Sequence, residues 1–271
     1  MEFSFLILLG MGLVAGVLAG VFGIGGGVLF TPILFLIFNE AGIQQPVLWT
    51  IGSSLFCTFI AATGSSIRQF RQRNFFGREG IQVGLLGAVG VWVGKQVATS
   101  SFYTEEVFAV FFSLLFFYVA YMFIRRGRQS SAESTGEENE ISLGHSAVTG
   151  GAGGFVAALG GIGGGGVMVP IMNLFYRLPF QKVVSISSLA IVFISLSGWG
   201  QLAFYASSGP SISGYAIGVV DFGAALPLSI GGLIGGFAGA FINLKIDRTY
   251  LQYGFAVLAL VIVIRLLTDV F

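Results

Sequence analysis

The sequence predicts an all-α polytopic membrane protein made of two inverted-topology repeats, each a broken-helix hairpin followed by three transmembrane helices. Three observations predict it: a composition too apolar for a soluble domain, a glycine-rich loop that occurs twice, and a charge bias that reverses between the halves.

Of 271 residues, 55% are hydrophobic and 9% charged, whereas soluble domains carry roughly 25% charged residues. Mean hydropathy is +0.91. Uncharged runs cover 3–39, 41–67, 146–176, 183–220 and 222–244, and a spanning helix needs about 20 such residues. Runs this long suit helices rather than the short alternating strands of a barrel. A net charge of +1 leaves no footprint for nucleic acid. Cys57 is the single cysteine, so no intrachain disulfide or cysteine metal cluster can form. The start, Met1-Glu2-Phe3, lacks the basic flank of a signal peptide and reads as a retained membrane segment.

The first hairpin is read as a helix over about 3–22, the loop Gly23-Ile24-Gly25-Gly26-Gly27, and a helix over about 28–38 containing Pro32. Eleven residues at about 1.5 Å each reach only halfway across the hydrocarbon layer. Spans follow over about 46–67, 80–98 and 106–124. The division is an N-terminal membrane repeat (1–126), a flexible cytoplasmic linker (127–142) and a C-terminal membrane repeat (143–271). The linker carries Glu133, Glu137, Glu138 and Glu140 with no apolar periodicity. The second half repeats the order: a helix over about 143–159, the loop Gly161-Ile162-Gly163-Gly164-Gly165-Gly166, a short helix with Pro170 to 176, and spans over about 183–204, 219–243 and 249–267.

The duplication is concrete. Gly23 and Pro32 return 138 residues on as Gly161 and Pro170, Ser53-Ser54-Leu55 returns as Ser187-Ser188-Leu189, and Gly90-x-x-x-Gly94 returns as Gly235-x-x-x-Gly239. In half one the basic residues, Arg68, Arg71, Arg73 and Arg78, follow the first full span. In half two they precede it (Arg177, Lys182) or come a span later (Lys245, Arg248). Lysine and arginine favour the cytoplasmic side, so the halves point opposite ways, as in many secondary transporters. Each glycine unit must then return to its starting side, and both termini lie outside the cytoplasm.

Glycine loops ahead of helix starts expose amides with no intrahelical partner, which carry partial positive charge and attract anions. Glycines that merely permit close helix crossing are the competing reading. The second loop formally matches G-x-G-x-x-G, but a long apolar helix precedes it and no acidic residue follows at the required distance, so a dinucleotide site is rejected. Serine hydroxyls can donate to an anion without adding a buried charge, or can bond their own helix. Lys95, Lys182 and Asp221 read mainly as boundary anchors, and Cys57 as a small packing residue. No carboxylate lies inside a predicted span and His145, the lone histidine, flanks the linker, so proton coupling has no marker. No nucleophile–base pair or phosphate loop with a lysine supports an enzyme, and no cofactor is expected.

Two glycine loops, each followed by a short proline-containing helix and then Ser-Ser-Leu on the next helix, resemble the TauE/SafE sulfite exporter family over nearly the whole chain. The resemblance implies export of a small sulfur-containing anion (sulfite, a sulfonate such as sulfoacetate, or thiosulfate) across the bacterial cytoplasmic membrane. Carried over by position, the substrate site comprises Gly25, Gly26, Gly27, Ser53 and Ser54 in half one, and Gly163, Gly164, Gly165, Gly166, Ser187 and Ser188 in half two. Lys182 stands where the family commonly has a basic residue, with no basic match in half one. The expected partners are the anion and the bilayer, with a homo-oligomer left open. A passive anion channel and a membrane assembly protein without transport are the alternatives.

Overall fold

The computed structural model describes residues 5–22, 27–71, 73, 75–128, 141–206, 211–243 and 248–270. They form helices throughout, apart from one two-stranded ribbon. In chain order the helices are α1 (Phe5–Phe22), α2 (Gly27–Glu40), α3 (Pro46–Arg71), α4 (Gly77–Ala98), α5 (Glu105–Arg128), α6 (Leu143–Gly160), α7 (Gly165–Pro170), a π-helix (Ile171–Phe175), α8 (Phe180–Ala203), α9 (Phe222–Asn243) and α10 (Arg248–Val270). Strands β1 (Ala216–Ile217) and β2 (Val220–Asp221) pair antiparallel just ahead of α9. Among the described residues, five helices are long and apolar enough to cross a membrane: α3, α4, and parts of α5, α8 and α9. Shorter apolar stretches lie in α1, α2, α7 with the π-helix, and α10. The chain is a multi-pass α-helical membrane protein.

The broken hairpins are present, with different ends. The second helix of the first hairpin runs to Glu40, beyond the expected 38. The span read as beginning at 219 begins at Phe222, because β1 and β2 occupy the residues before it. Helix α5 continues to Arg128, into the stretch read as linker; residues 129–140 lie outside the described residues.

Glycine decides which helices touch. Helices α1 and α9 lie side by side in the same direction. A methyl group on Gly12, Gly16, Gly231 or Gly235 would overlap the facing backbone at Leu228, Gly232, Leu9 or Leu13. Helices α4 and α6 do the same through Gly90, Gly150 and Gly154 against Gly151, Val83 and Gly87. In an apolar solvent such close approach substitutes for hydrophobic driving force. The remaining large contacts are α3 with α8, α4 with α8, α3 with α9, α2 with α3, and α5 with α10. Exchanging α1–α5 for the five matching segments of the second half turns each of these contacts into itself or another of the set, except α2 with α3, whose counterpart, α7 with α8, is smaller.

Helices α3 and α8 pack against each other and against helices of both halves. Gly198 packs on Leu55, and Trp199 meets Phe56 edge-on. The fully buried side chains include Phe30, Phe35, Ile51, Leu55, Met168 and Met172. An aromatic ladder passes from Phe35 to Phe108, Phe112 and Phe116 with centroid spacings of 5.2, 5.5 and 4.9 Å. The last three recur every four residues, the spacing that lines one face of α5.

Candidate functional site at the meeting of the helix breaks

Helix α6 stops because Gly161 turns left-handed (φ 71°), its N–H closing on the Ala157 carbonyl at 2.8 Å. Gly163 and Gly164 are left-handed too (φ 71° and 77°), which side chains resist. The chain then re-enters helix at Gly165. Residues 161–164 are all buried.

The two hairpins meet here. A methyl group on Gly27, the first residue of α2, would stand 3.0 Å from the Ile162 carbonyl oxygen and 2.5 Å from Thr58 Oγ1. One on Gly163 would stand 2.6 Å from Thr58 Cγ2 and 3.4 Å from Ser195 Oγ. Thr31, one turn into α2, donates to the Gly27 carbonyl at 3.4 Å and faces Gly161. The start of α2, the second glycine loop and the α3–α8 contact therefore share one buried locus. Thr58 (4% exposed) and Ser195 (0%) flank it, and neither hydroxyl has a hydrogen-bond partner among the described residues. Buried polar groups are nearly always satisfied, so two orphans side by side need a reason.

The residues singled out in the sequence divide into three groups. Gly27 and Gly163 are at the locus; Gly164 caps α7 and lies against the Gly153 carbonyl. Gly165 faces Ile191, and Gly166 faces Val119 and Ile162. Gly25 and Gly26 lie outside the described residues. The serines are occupied. Ser54 donates to the Gly161 carbonyl at 3.1 Å, fixing the end of α6 onto α3. Ser53 accepts from the Asp221 amide at 3.0 Å. Ser187 and Ser188 donate to the Val184 and Ser185 carbonyls of their own helix at 3.2 and 3.0 Å. Thr58 and Ser195 were missed in the sequence. Thr58 falls one helical turn after Ser54, and that spacing on a helix poor in polar residues was the available signal.

The charged anchors turn out to be joints. Lys182, 8% exposed, pairs with Glu79 at 3.6 Å and lies 4.9 Å above the Phe76 ring, tying the start of α8 to the start of α4. Asp221 is fully buried and caps α9, accepting from the Ala224 amide at 3.0 Å and from the Ser213 amide and hydroxyl. Between α4 and α5, Tyr103 donates to the Leu159 carbonyl near the end of α6 at 2.9 Å. Burial pushes its phenol above the ordinary tyrosine range, so it remains a donor at all physiological pH values. Among the described residues no three His, Cys, Asp or Glu side chains gather as a metal site.

A helical membrane protein in which the start of α2 and the second glycine loop share one buried locus is the class that fold and site define. The chain belongs to the sulfite exporter TauE/SafE family, whose model matches residues 8–266. It is 30% identical over 259 residues to a probable membrane transporter protein of Methanocaldococcus jannaschii, covering 93% of this chain and 92% of that one. It is 26% identical over 264 residues to the probable membrane transporter YunE of Bacillus subtilis, covering 90% of each. It is 24% identical over 275 residues to a probable membrane transporter of Haemophilus influenzae, covering 97% and 98%. No solved structure matches.

Proposed function

We propose that this protein carries a small sulfur-containing anion across the cytoplasmic membrane by alternating access, with the anion held where the two helix breaks meet. The amides at the starts of α2 and α7 supply partial positive charge, and the hydroxyls of Thr58 and Ser195 supply directed donors. The observation that carries this reading is the pair of buried, unpartnered hydroxyls beside Gly27 and Gly163. An anion at this position would satisfy both of them at once. No lysine or arginine is needed, so affinity stays modest and release is easy. The family description and the relatives' names support a transporter, and the sulfur chemistry follows from the family description.

The inverted arrangement of the halves is part of the proposal. Helix α6 runs parallel to α4, and its counterpart α1 runs parallel to α9. The charge bias that reverses between the halves supports opposite insertion, and with it rocking of one half against the other.

The test is uptake of radiolabelled sulfite and methanesulfonate into proteoliposomes, with Thr58→Val and Ser195→Ala as variants. Removing an orphaned hydroxyl leaves stability unchanged or slightly improved. Loss of a donor to an anion raises KM about tenfold or more, since hydrogen bonds to charged groups contribute about 1.5–3 kcal/mol. Wild-type vesicles that accumulate neither anion would defeat the transporter reading. Unchanged KM in both folded variants would remove these hydroxyls from the site.

A further inference from the structure

We propose that Trp199 is a further donor to the transported anion, and that the rings around it make the site prefer an oxyanion bearing a short carbon chain. This inference rests on the central site described above. Trp199 follows Ser195 by one turn of α8, so both side chains lie on the same face of that helix. Its indole Nε1 is inaccessible and has no hydrogen-bond partner among the described residues. An indole N–H can only donate, and a buried donor left unpaired destabilises the fold. With Thr50 and Thr58 on α3 and Ser195 on α8, it makes four unpartnered donors on these two packed helices, of which Thr58 and Ser195 border the central site.

The surroundings of Trp199 differ from those of the two hydroxyls. Its ring meets Phe56 edge-on at 5.5 Å and Phe222 edge-on at 6.1 Å, and those two meet edge-on at 4.9 Å. Phe59 closes in at 6.1 Å. These rings offer a bare inorganic oxyanion nothing in exchange for its water. A sulfonate can direct its oxygens to Thr58, Ser195 and Trp199 while its carbon atoms rest on the aromatic walls, where apolar burial is favourable. The arrangement thus separates a donor end from an apolar end, which suits an amphipathic small anion.

The sequence holds three tryptophans. Replacing Trp49 and Trp92 with Phe leaves Trp199 as the sole indole emitter. Its fluorescence is titrated with sulfite, methanesulfonate and ethanesulfonate, alongside calorimetric titration of the same protein. The expected result is a saturable emission change and an affinity that rises about fourfold per added methylene. Trp199→Phe keeps the ring, removes the N–H, lowers sulfonate affinity about tenfold and leaves the melting temperature unchanged or higher. Calorimetric binding with unmoved Trp199 emission and unchanged affinity in Trp199→Phe overturns this inference and leaves the central site standing. Equal affinity for sulfite and ethanesulfonate overturns the preference for a carbon chain. Calorimetry that detects no binding of any of the three overturns the central site along with it.

Discussion

The two hairpins begin alike and end differently. In the first, α2 continues as regular helix past Pro32 to Glu40. In the second, α7 gives way after Pro170 to a π-helix that ends at Phe175. The divergence traces to one aligned pair. Phe35 is fully buried against Phe108, which rewards continuing the helix. Its counterpart, Asn173, donates instead to the Leu178 carbonyl at 3.1 Å, and the Leu178 amide returns to the Met172 carbonyl. A side chain that satisfies a loop carbonyl makes an early stop stable. The comparison teaches that duplication kept a break ahead of each short helix and relaxed how each return helix ends. A π-turn beside a buried break is a common functional irregularity.

The most damaging change should be Gly164→Ala. It forces a side chain into φ 77° and drives a methyl group into the Gly153 carbonyl. Backbone strain and overpacking each cost about 1–3 kcal/mol, so the expected loss is about 3 kcal/mol or more. Gly166→Ala, two residues on, meets only the Val119 side chain at 3.1 Å in ordinary helical geometry and should be mild. Thermal melts in detergent decide it: similar losses for the two would mean that the left-handed turn does not define this break.

Much of this architecture could be read in the sequence, because composition and repeat spacing are properties of the chain itself. The breaks were visible as glycine runs flanked by apolar helix. The donors were not. Ser53 and Ser54 stood out through the repeated Ser-Ser-Leu, yet their hydroxyls join α3 to Asp221 and to Gly161. Thr58 and Ser195 do not occupy matching positions, so no repeat pointed to them. Which hydroxyl lacks a partner depends on three-dimensional contacts that periodicity does not encode.

A second contrast lies between the joints that α8 and α3 make with the other half. One carries a buried ion pair, Lys182 with Glu79; the other uses Asp221 as a helix cap beside Ser213. Lys182→Met should destabilise by about 2 kcal/mol, below the roughly 3–5 kcal/mol of a fully buried pair because Glu79 keeps some solvent contact. Glu79→Gln in the same background should recover part of that loss, since it removes the stranded charge. A double mutant as unstable as the sum of the singles would show that the two side chains are not coupled.

The smallest expected effect probes how equal the joints are. Ser53 accepts from the Asp221 amide, and Ser185 accepts from the Phe76 amide at 3.2 Å. Asp221 and Phe76 stand at matching places, each immediately before the first residue of α9 or α4. One acceptor on a central helix thus fixes the start of a helix from the other half, once in each direction. The partners differ in burial: Asp221 is fully buried, whereas Phe76 is half-buried. A stranded amide costs about 1–3 kcal/mol when water cannot reach it, and less when water can. Ser53→Ala should therefore lower stability by about 1–2 kcal/mol, and Ser185→Ala by about 1 kcal/mol or less, in denaturant titrations of the detergent-solubilised protein. The reverse order would mean that solvent access, rather than position in the repeat, has been assigned to the wrong joint, and with it the view that the Asp221 side is the more tightly sealed.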